Sequence, residues 1–362
     1  MSARRTGSWL ILALVLSAGF SCATAEGAGE APPPDTADFA GRPSATAPPA
    51  WRRGQGWGWI WGADDQTGAL NSMTAASRLA ALALVTEGRV YDLGVTWSRE
   101  SFQWPGHNKG EVITFRTPEG IARMGDLDFT LPAVNPAGVA WHSSAVFISD
   151  NVGTQIDGLG HLSTGEDDHV YNGYPETIAG GDFGVRRNSA VGIPPIVNRA
   201  VLIDVAGAKG VAALPGGTAI GPADLQQALA LQGTELRPGD IALVRTGAAQ
   251  FWGAVGADHD AFAAHDSAGI NLAAARWLVE ERGVLAVGSD TSGLEVAPAP
   301  PGSDTFVPVH QYLLIEQGVH ILELHDLEAL ARDRVWEFCY VGTTNKIAGT
   351  TAGFALRPIA LR

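Results

Sequence analysis

The stretch Asn151–His161, NVGTQIDGLGH, decides how the whole chain is read. It sets two carboxamides, a carboxylate and an imidazole among three glycines. In an extended backbone side chains alternate, so Asn151, Gln155 and Asp157 share one face. His161 follows four residues after Asp157, beyond two glycines that permit a bend. The residues alone leave two readings open. A carboxylate, an imidazole and amide oxygens can converge on a cation. The same residues can also form a hydrogen-bonded polar turn in which Asp157 caps backbone amides.

The surroundings read as an α/β domain. Helical spacing is found in TAASRLAALALVTEG, GPADLQQALALQG, NLAAARWLVEERG and the shorter HQYLLIEQG, each closing on a glycine. Apolar runs predict strands at RAVLIDVA, DIALVRTG, VLAVGSD, VHILELH and VWEFCYVGT. Helices alternating with short strands favour α/β over segregated layers. No strand is followed by G-x-G-x-x-G and no phosphate-cradling G-x-x-x-x-G-K-[ST] occurs, so nucleotide binding has no support. No G-x-S-x-G elbow occurs, which disfavours a serine nucleophile.

Composition bounds the partners. With 46% hydrophobic and 17% charged residues, the chain can bury a core and stay in solution. A net charge of -14 opposes binding to nucleic acid or an anionic membrane, and a small-molecule partner is expected. At the N-terminus Arg4 and Arg5 precede the apolar WLILALVLSAGF and then Ala23-Thr24-Ala25. This is the pattern of a secretory signal peptide, predicting residues 1–25 as a leader and a periplasmic or secreted product. Cys22 leaves a lipoprotein anchor as the alternative, although Gly19-Phe20-Ser21 is a poor acylation signal. Residues 26–50, rich in Ala, Pro and Gly, read as a disordered linker. The other cysteine, Cys339, lies in an apolar strand and reads as core. With the leader removed, neither an internal disulfide nor a cysteine-held zinc is available.

The stretch 151–161 resembles the signature H-x-G-T-H-x-D-x-x-x-H of the cyclase family, which includes bacterial kynurenine formamidases and isatin hydrolases. Gly153, Thr154, Asp157 and His161 match, while Asn151 and Gln155 stand where the family has histidines. WGADDQTGALNSMTAASRLAALALVTEGRVYDLG, LRPGDIALVRTG, GVLAVGSDTSGLEVAP and VHQYLLIEQGVHILELHDLEAL resemble other blocks of that family, in order. The resemblance implies a swivelling β/β/α fold for a single catalytic domain at 51–362. It also implies metal-dependent hydrolysis of an amide or cyclic amide, and homo-oligomers. On this basis Gln155, Asp157, His161 and Asn151 are expected to hold a metal. Amide and carboxylate oxygens favour Mn²⁺, with Zn²⁺ as the alternative. His310 and Glu323 match a later His and Glu of the family and are expected to move protons, against helix-start and surface roles. A non-catalytic ligand-binding protein on the same scaffold is the rival reading.

Asp290 and Glu295 follow a strand, where α/β proteins place site residues, but both also suit turn capping; Glu295 is taken as a substrate contact. Trp57, Trp59 and Trp61 alternate, so they either pack a core or stack an aromatic substrate. His142, His169, His265, His320 and His325 read as structural or surface groups.

Overall fold

Four apolar runs become the parallel centre of one large sheet. In the computed structural model, which describes residues 58–254 and 259–362, thirteen strands are formed. They are β1 (Val90–Asp92), β2 (Glu111–Arg116), β3 (Ser143–Phe147), β4 (Gln155–Asp157), β5 (Ile196–Asp204), β6 (Ala219–Ile220) and β7 (Ile241–Arg245). Then come β8 (Gly269–Ile270), β9 (Ala286–Ser289), β10 (His320–Glu323), β11 (Glu337–Gly342), β12 (Ala352–Gly353) and β13 (Ile359–Leu361). Nine of them make a sheet of order β1-β13-β11-β5-β7-β9-β10-β4-β12, parallel across β5-β7-β9-β10 and antiparallel outside it. Val201–Ile203 and Ile241–Val244 are sealed from solvent, as parallel strands covered on both faces require.

The predicted helices form, with altered ends. Pro222–Gln232 starts where the Asp224 carboxylate accepts the Gly221 N–H at 2.8 Å, and it stops at Gly233, whose φ of +65° suits a residue without Cβ. NLAAARWLVEERG is α-helical only over Leu272–Arg276; Trp277–Glu281 widens into a π-helix with Arg282 N–H on Trp277 C=O at 3.1 Å. HQYLLIEQG behaves likewise, Pro308–His310 passing into a π-helix over Gln311–Glu316. Such widened turns often accompany functional sites, and His310 sits at this junction.

The leader 1–25, the linker 26–50, Cys22 and Trp57 lie outside the described residues, as does the side chain of Trp59. Trp61 is described and packs against the main apolar core, the first of its two expected roles. Cys339 is buried, in keeping with a core residue. Among the described residues no helix is long and apolar enough to cross a membrane.

Candidate metal centre

The register between β4 and β10 assembles the site. Glu323 lies opposite Gln155, and Ile321 opposite Asp157. Gln155, Asp157 and Glu323 therefore project from one face. All three are buried. Thr154, inside the motif, ties the strands together: its hydroxyl donates to Leu324 C=O at 2.7 Å and accepts the Val95 N–H at 2.8 Å. The glycines act through space and torsion. Gly153 has φ +62°, and a Cβ on Gly158 would stand 2.6 Å from the Thr351 carbonyl.

Three donor atoms converge. His310 Nε2 lies 3.3 Å from Glu323 Oε1 and 3.7 Å from Asp157 Oδ2. Donor atoms of Asp157, His310 and Glu323 all lie within 4.8 Å of one another. Asp157 Oδ2 and Glu323 Oε1 are buried with no hydrogen-bond partner. An unsatisfied buried polar atom costs about 1–3 kcal/mol, more when charged, so two aimed at one point call for an occupant. Two carboxylate oxygens and an imidazole nitrogen fit a divalent cation.

The remaining polar atoms hold this set in place. Gln155 Nε2 donates to Glu323 Oε2 at 2.6 Å and to Asp157 Oδ1 at 3.3 Å, and Asn151 Nδ2 donates to the same Oδ1 at 3.2 Å. In this arrangement both carboxamides turn N–H groups towards the carboxylates and act as clamps. Sequence reasoning expected their oxygens on a metal. Glu295 accepts from Val309 N–H at 3.0 Å, His310 N–H at 2.9 Å and His310 Nδ1 at 2.5 Å. With both its oxygens engaged it orients the imidazole, where a substrate contact was expected.

Electrostatics follows from this crowding. Burial raises the Glu323 carboxyl, and the Asp157 charge raises it further. Burial pulls the His310 imidazole down, but the nearby carboxylates of Glu295 and Glu323 outweigh it and the net shift is upward. His161, half-buried, stands outside the triangle of donors. Burial lowers its pKa against the opposing pull of Asp157, which favours the neutral ring.

The loop between β9 and Glu295 is clamped by carboxylates. Asp290 accepts from Thr246 N–H, Thr246 Oγ1 and Gly247 N–H at 2.7–2.8 Å, a capping role, and burial raises its pKa to about 6. Asp266, which sequence reasoning did not single out, accepts from the Ser292 N–H at 2.6 Å and from its hydroxyl, and burial raises it to about 6 as well. Its charge reaches Glu323, yet a lone aspartate at the end of a helix gives no sequence signal. Two further indoles border the site loops: Trp97 covers Gly153 and Trp104 covers Gly293. The five histidines read from the sequence as structural or surface groups stay apart. His142 is exposed, His169 meets Asp167, His265 meets Leu214 C=O, His325 meets Tyr340 Oη at 2.9 Å, and His320 is buried without a partner.

A mixed sheet carries a buried carboxylate–imidazole triangle whose donor set fits a divalent cation. The Cyclase family model matches residues 91–296, and the chain belongs to that family. Among solved structures it is similar to one described as a novel cyclase. The two are 28% identical over 84% of this chain and 97% of that chain, with a TM-score of 0.71. It is also similar in fold to isatin hydrolase A from Ralstonia solanacearum, at 22% identity over 80% of this chain and 97% of that one, TM-score 0.54. Isatin hydrolase A from Labrenzia aggregata, bound to benzyl benzoate, is 20% identical over 79% and 98%, TM-score 0.52. No curated protein sequence matches the chain. The expected swivelling β/β/α fold of the cyclase family agrees with these likenesses.

Proposed function

We propose that the protein is an exported metal-dependent hydrolase that opens an amide or cyclic amide with water. The observation that carries this reading is the pair of unpartnered oxygens, Asp157 Oδ2 and Glu323 Oε1, facing His310 Nε2. A divalent cation bound there supplies Lewis acidity towards water and a carbonyl oxygen. Asp157, Glu323 and His310 hold it, and the oxygen-rich set favours Mn²⁺ over Zn²⁺. Gln155 and Asn151 fix the carboxylates, and Glu295 fixes the imidazole. His161, neutral and outside the donor triangle, is the group free to take a proton from water and pass it to the leaving nitrogen. Trp97 and Trp104, each over a glycine of a site loop, offer flat surfaces to an aromatic substrate.

Elemental analysis of protein purified without chelator, with turnover on formyl anilides and cyclic imides, tests the reading. One bound metal per chain and hydrolysis of a panel member are expected. His161→Asn is expected to keep the metal and lose about 10²–10⁴ in turnover; loss of metal would return His161 to the ligand set.

One observation favours a second reading. Asn151 and Gln155 engage the carboxylates through N–H groups at positions where the family signature has imidazoles, as suits a scaffold that binds a ligand without turnover. Metal-free protein that binds panel compounds and leaves them intact would establish that rival. Export rests on the leader pattern at residues 1–25. Intact mass from the native host is expected to begin near Glu26, whereas a diacylglycerol on Cys22 would mean a lipoprotein.

A further inference from the structure

Two segments of the chain repeat one pattern. WLVEERGV at 277–284 and YLLIEQGV at 312–319 each run from an aromatic residue through leucine and glutamate to Gly-Val. Their backbones repeat as well. Arg282 N–H reaches Trp277 C=O at 3.1 Å and Gln317 N–H reaches Tyr312 C=O at 3.0 Å, each across five positions. Val284 N–H meets Leu278 C=O at 3.2 Å and Val319 N–H meets Leu313 C=O at 2.8 Å, each across six. Both segments turn at a left-handed glycine, Gly283 at φ +66° and Gly318 at φ +63°, and lead into the paired parallel strands β9 and β10.

An α-helix bonds residues four apart, so each of these π-turns carries one residue in excess. One residue is about 100° of helical rotation. The excess residue therefore sets how everything before the turn faces everything after it. Before the second turn stands His310, helical at φ −58° and ψ −47°; after it comes β10 with Glu323. Were Gln311–Glu316 to relax to an α-helix, the His310 imidazole would swing away from Glu323 Oε1, which its Nε2 now approaches to 3.3 Å. π-helices are rare, so contacts outside the backbone must favour this one.

Those contacts lie between the two π-turns. Tyr312, 3% exposed, donates its hydroxyl to Glu280 Oε1 at 3.0 Å, and the Arg276 guanidinium covers the Tyr312 ring at 5.5 Å. Tyr312 is thus fixed at both ends. Its carbonyl accepts a five-position bond of its own turn, and its side chain is pinned to the other turn. Resting on the reading of His310 as a metal ligand, we propose that Tyr312 is a positioning residue: its bond to Glu280 holds the π-turn and, through it, the imidazole that faces the cation. Glu295 grips that imidazole directly, and Tyr312 fixes the helix that carries it.

Tyr312→Phe removes the hydroxyl and nothing else. Titration of the full-length chain with Mn²⁺ is expected to show affinity weakened about tenfold. The visible absorption band of the Co²⁺-loaded protein is expected to shift as the imidazole moves. Urea unfolding of the metal-free protein reads any plain loss of stability separately. Glu280→Gln keeps an acceptor oxygen for the hydroxyl and is expected to retain wild-type affinity and band, whereas Glu280→Leu is expected to match Tyr312→Phe. If Tyr312→Phe fails to fold, Glu280→Leu carries the same test from the other helix. Wild-type affinity and an unmoved band in both Tyr312→Phe and Glu280→Leu overturn the proposal. So does a Glu280→Gln protein as weak as Glu280→Leu. A wild-type chain that takes up neither ion overturns the metal reading first, and the proposal with it.

Discussion

Strands β7 and β10 lie two positions apart in one sheet and are equally buried, yet they use burial in opposite ways. From Ile241 to Val244, β7 carries only apolar side chains, with solvent access near zero. On β10 Ile321 and Leu322 are equally dry, but Glu323 and His320 flank them. Its partner β4 continues the contrast with Gln155 and Asp157 around Ile156. A strand buried on both faces normally excludes ionisable groups, because a charge taken from water must be paired. Where such groups persist with one oxygen clamped and the other open, the open atom marks a candidate binding site. β7 stabilises the fold; β4 and β10 spend stability on a site.

Asp157→Asn breaks the contrast most severely. It keeps size and removes the charge opposite the proposed cation, so metal content should collapse and turnover fall by about 10³ or more. The fold should remain, because water can fill a polar pocket. Elemental analysis and thermal midpoint on one sample decide it, and a mutant that keeps its metal would return Asp157 to a mere turn cap. Leu243→Ala is the mirror experiment on β7. A fully buried leucine lost from the sheet centre should cost about 2–5 kcal/mol in urea unfolding while metal per folded chain stays constant. Metal loss here would mean that the two regions are not separable.

How far the sequence reaches follows the same division. The five predicted strands appear because buried strands announce themselves as unbroken apolar runs: β7, β9, β10 and β11 fall inside the predicted runs, and β5 overlaps RAVLIDVA but starts three residues earlier, at Ile196. The motif was legible as a polar cluster because alternation put Gln155 and Asp157 on one face. Long-range pairing was not legible: only the β4–β10 register brings Glu323 against Gln155 and makes Glu323 and His310 neighbours of Asp157. The direction of the carboxamides was equally hidden, since oxygen and nitrogen occupy the same residue type. The exposed apolar hairpin of β2 and β3 gave no signal, because apolar residues on both faces of a short hairpin show no period that points to a core.

Glu295→Gln tests a smaller effect, that of the carboxylate behind the imidazole. It keeps the volume but removes the anion that receives His310 Nδ1 and two backbone N–H groups. Metal affinity measured by titration should weaken about 10–100-fold, while the thermal midpoint of the metal-free protein should change less than for Leu243→Ala. Unchanged affinity would make Glu295 a purely structural cap.

The smallest effect belongs to His320, on the face of β10 away from Glu323. Both its ring nitrogens are buried without partners, and burial lowers its pKa to about 3. The sign follows directly. The unfolded imidazole takes a proton near pH 6.5 while the folded one stays neutral, so below that pH the unfolded state binds more protons and stability falls. Between pH 7 and 5.5 this single group should remove about 1 kcal/mol. His325, lowered to about 4 by burial, adds to the same acid limb. His320→Leu fills the apolar space without a titrating group. Its stability curve should therefore be flatter than wild type between pH 7 and 5.5, with the residual slope left by His325. Urea unfolding at both pH values measures this, and an identical slope in the variant would show that His320 reaches water before the fold opens.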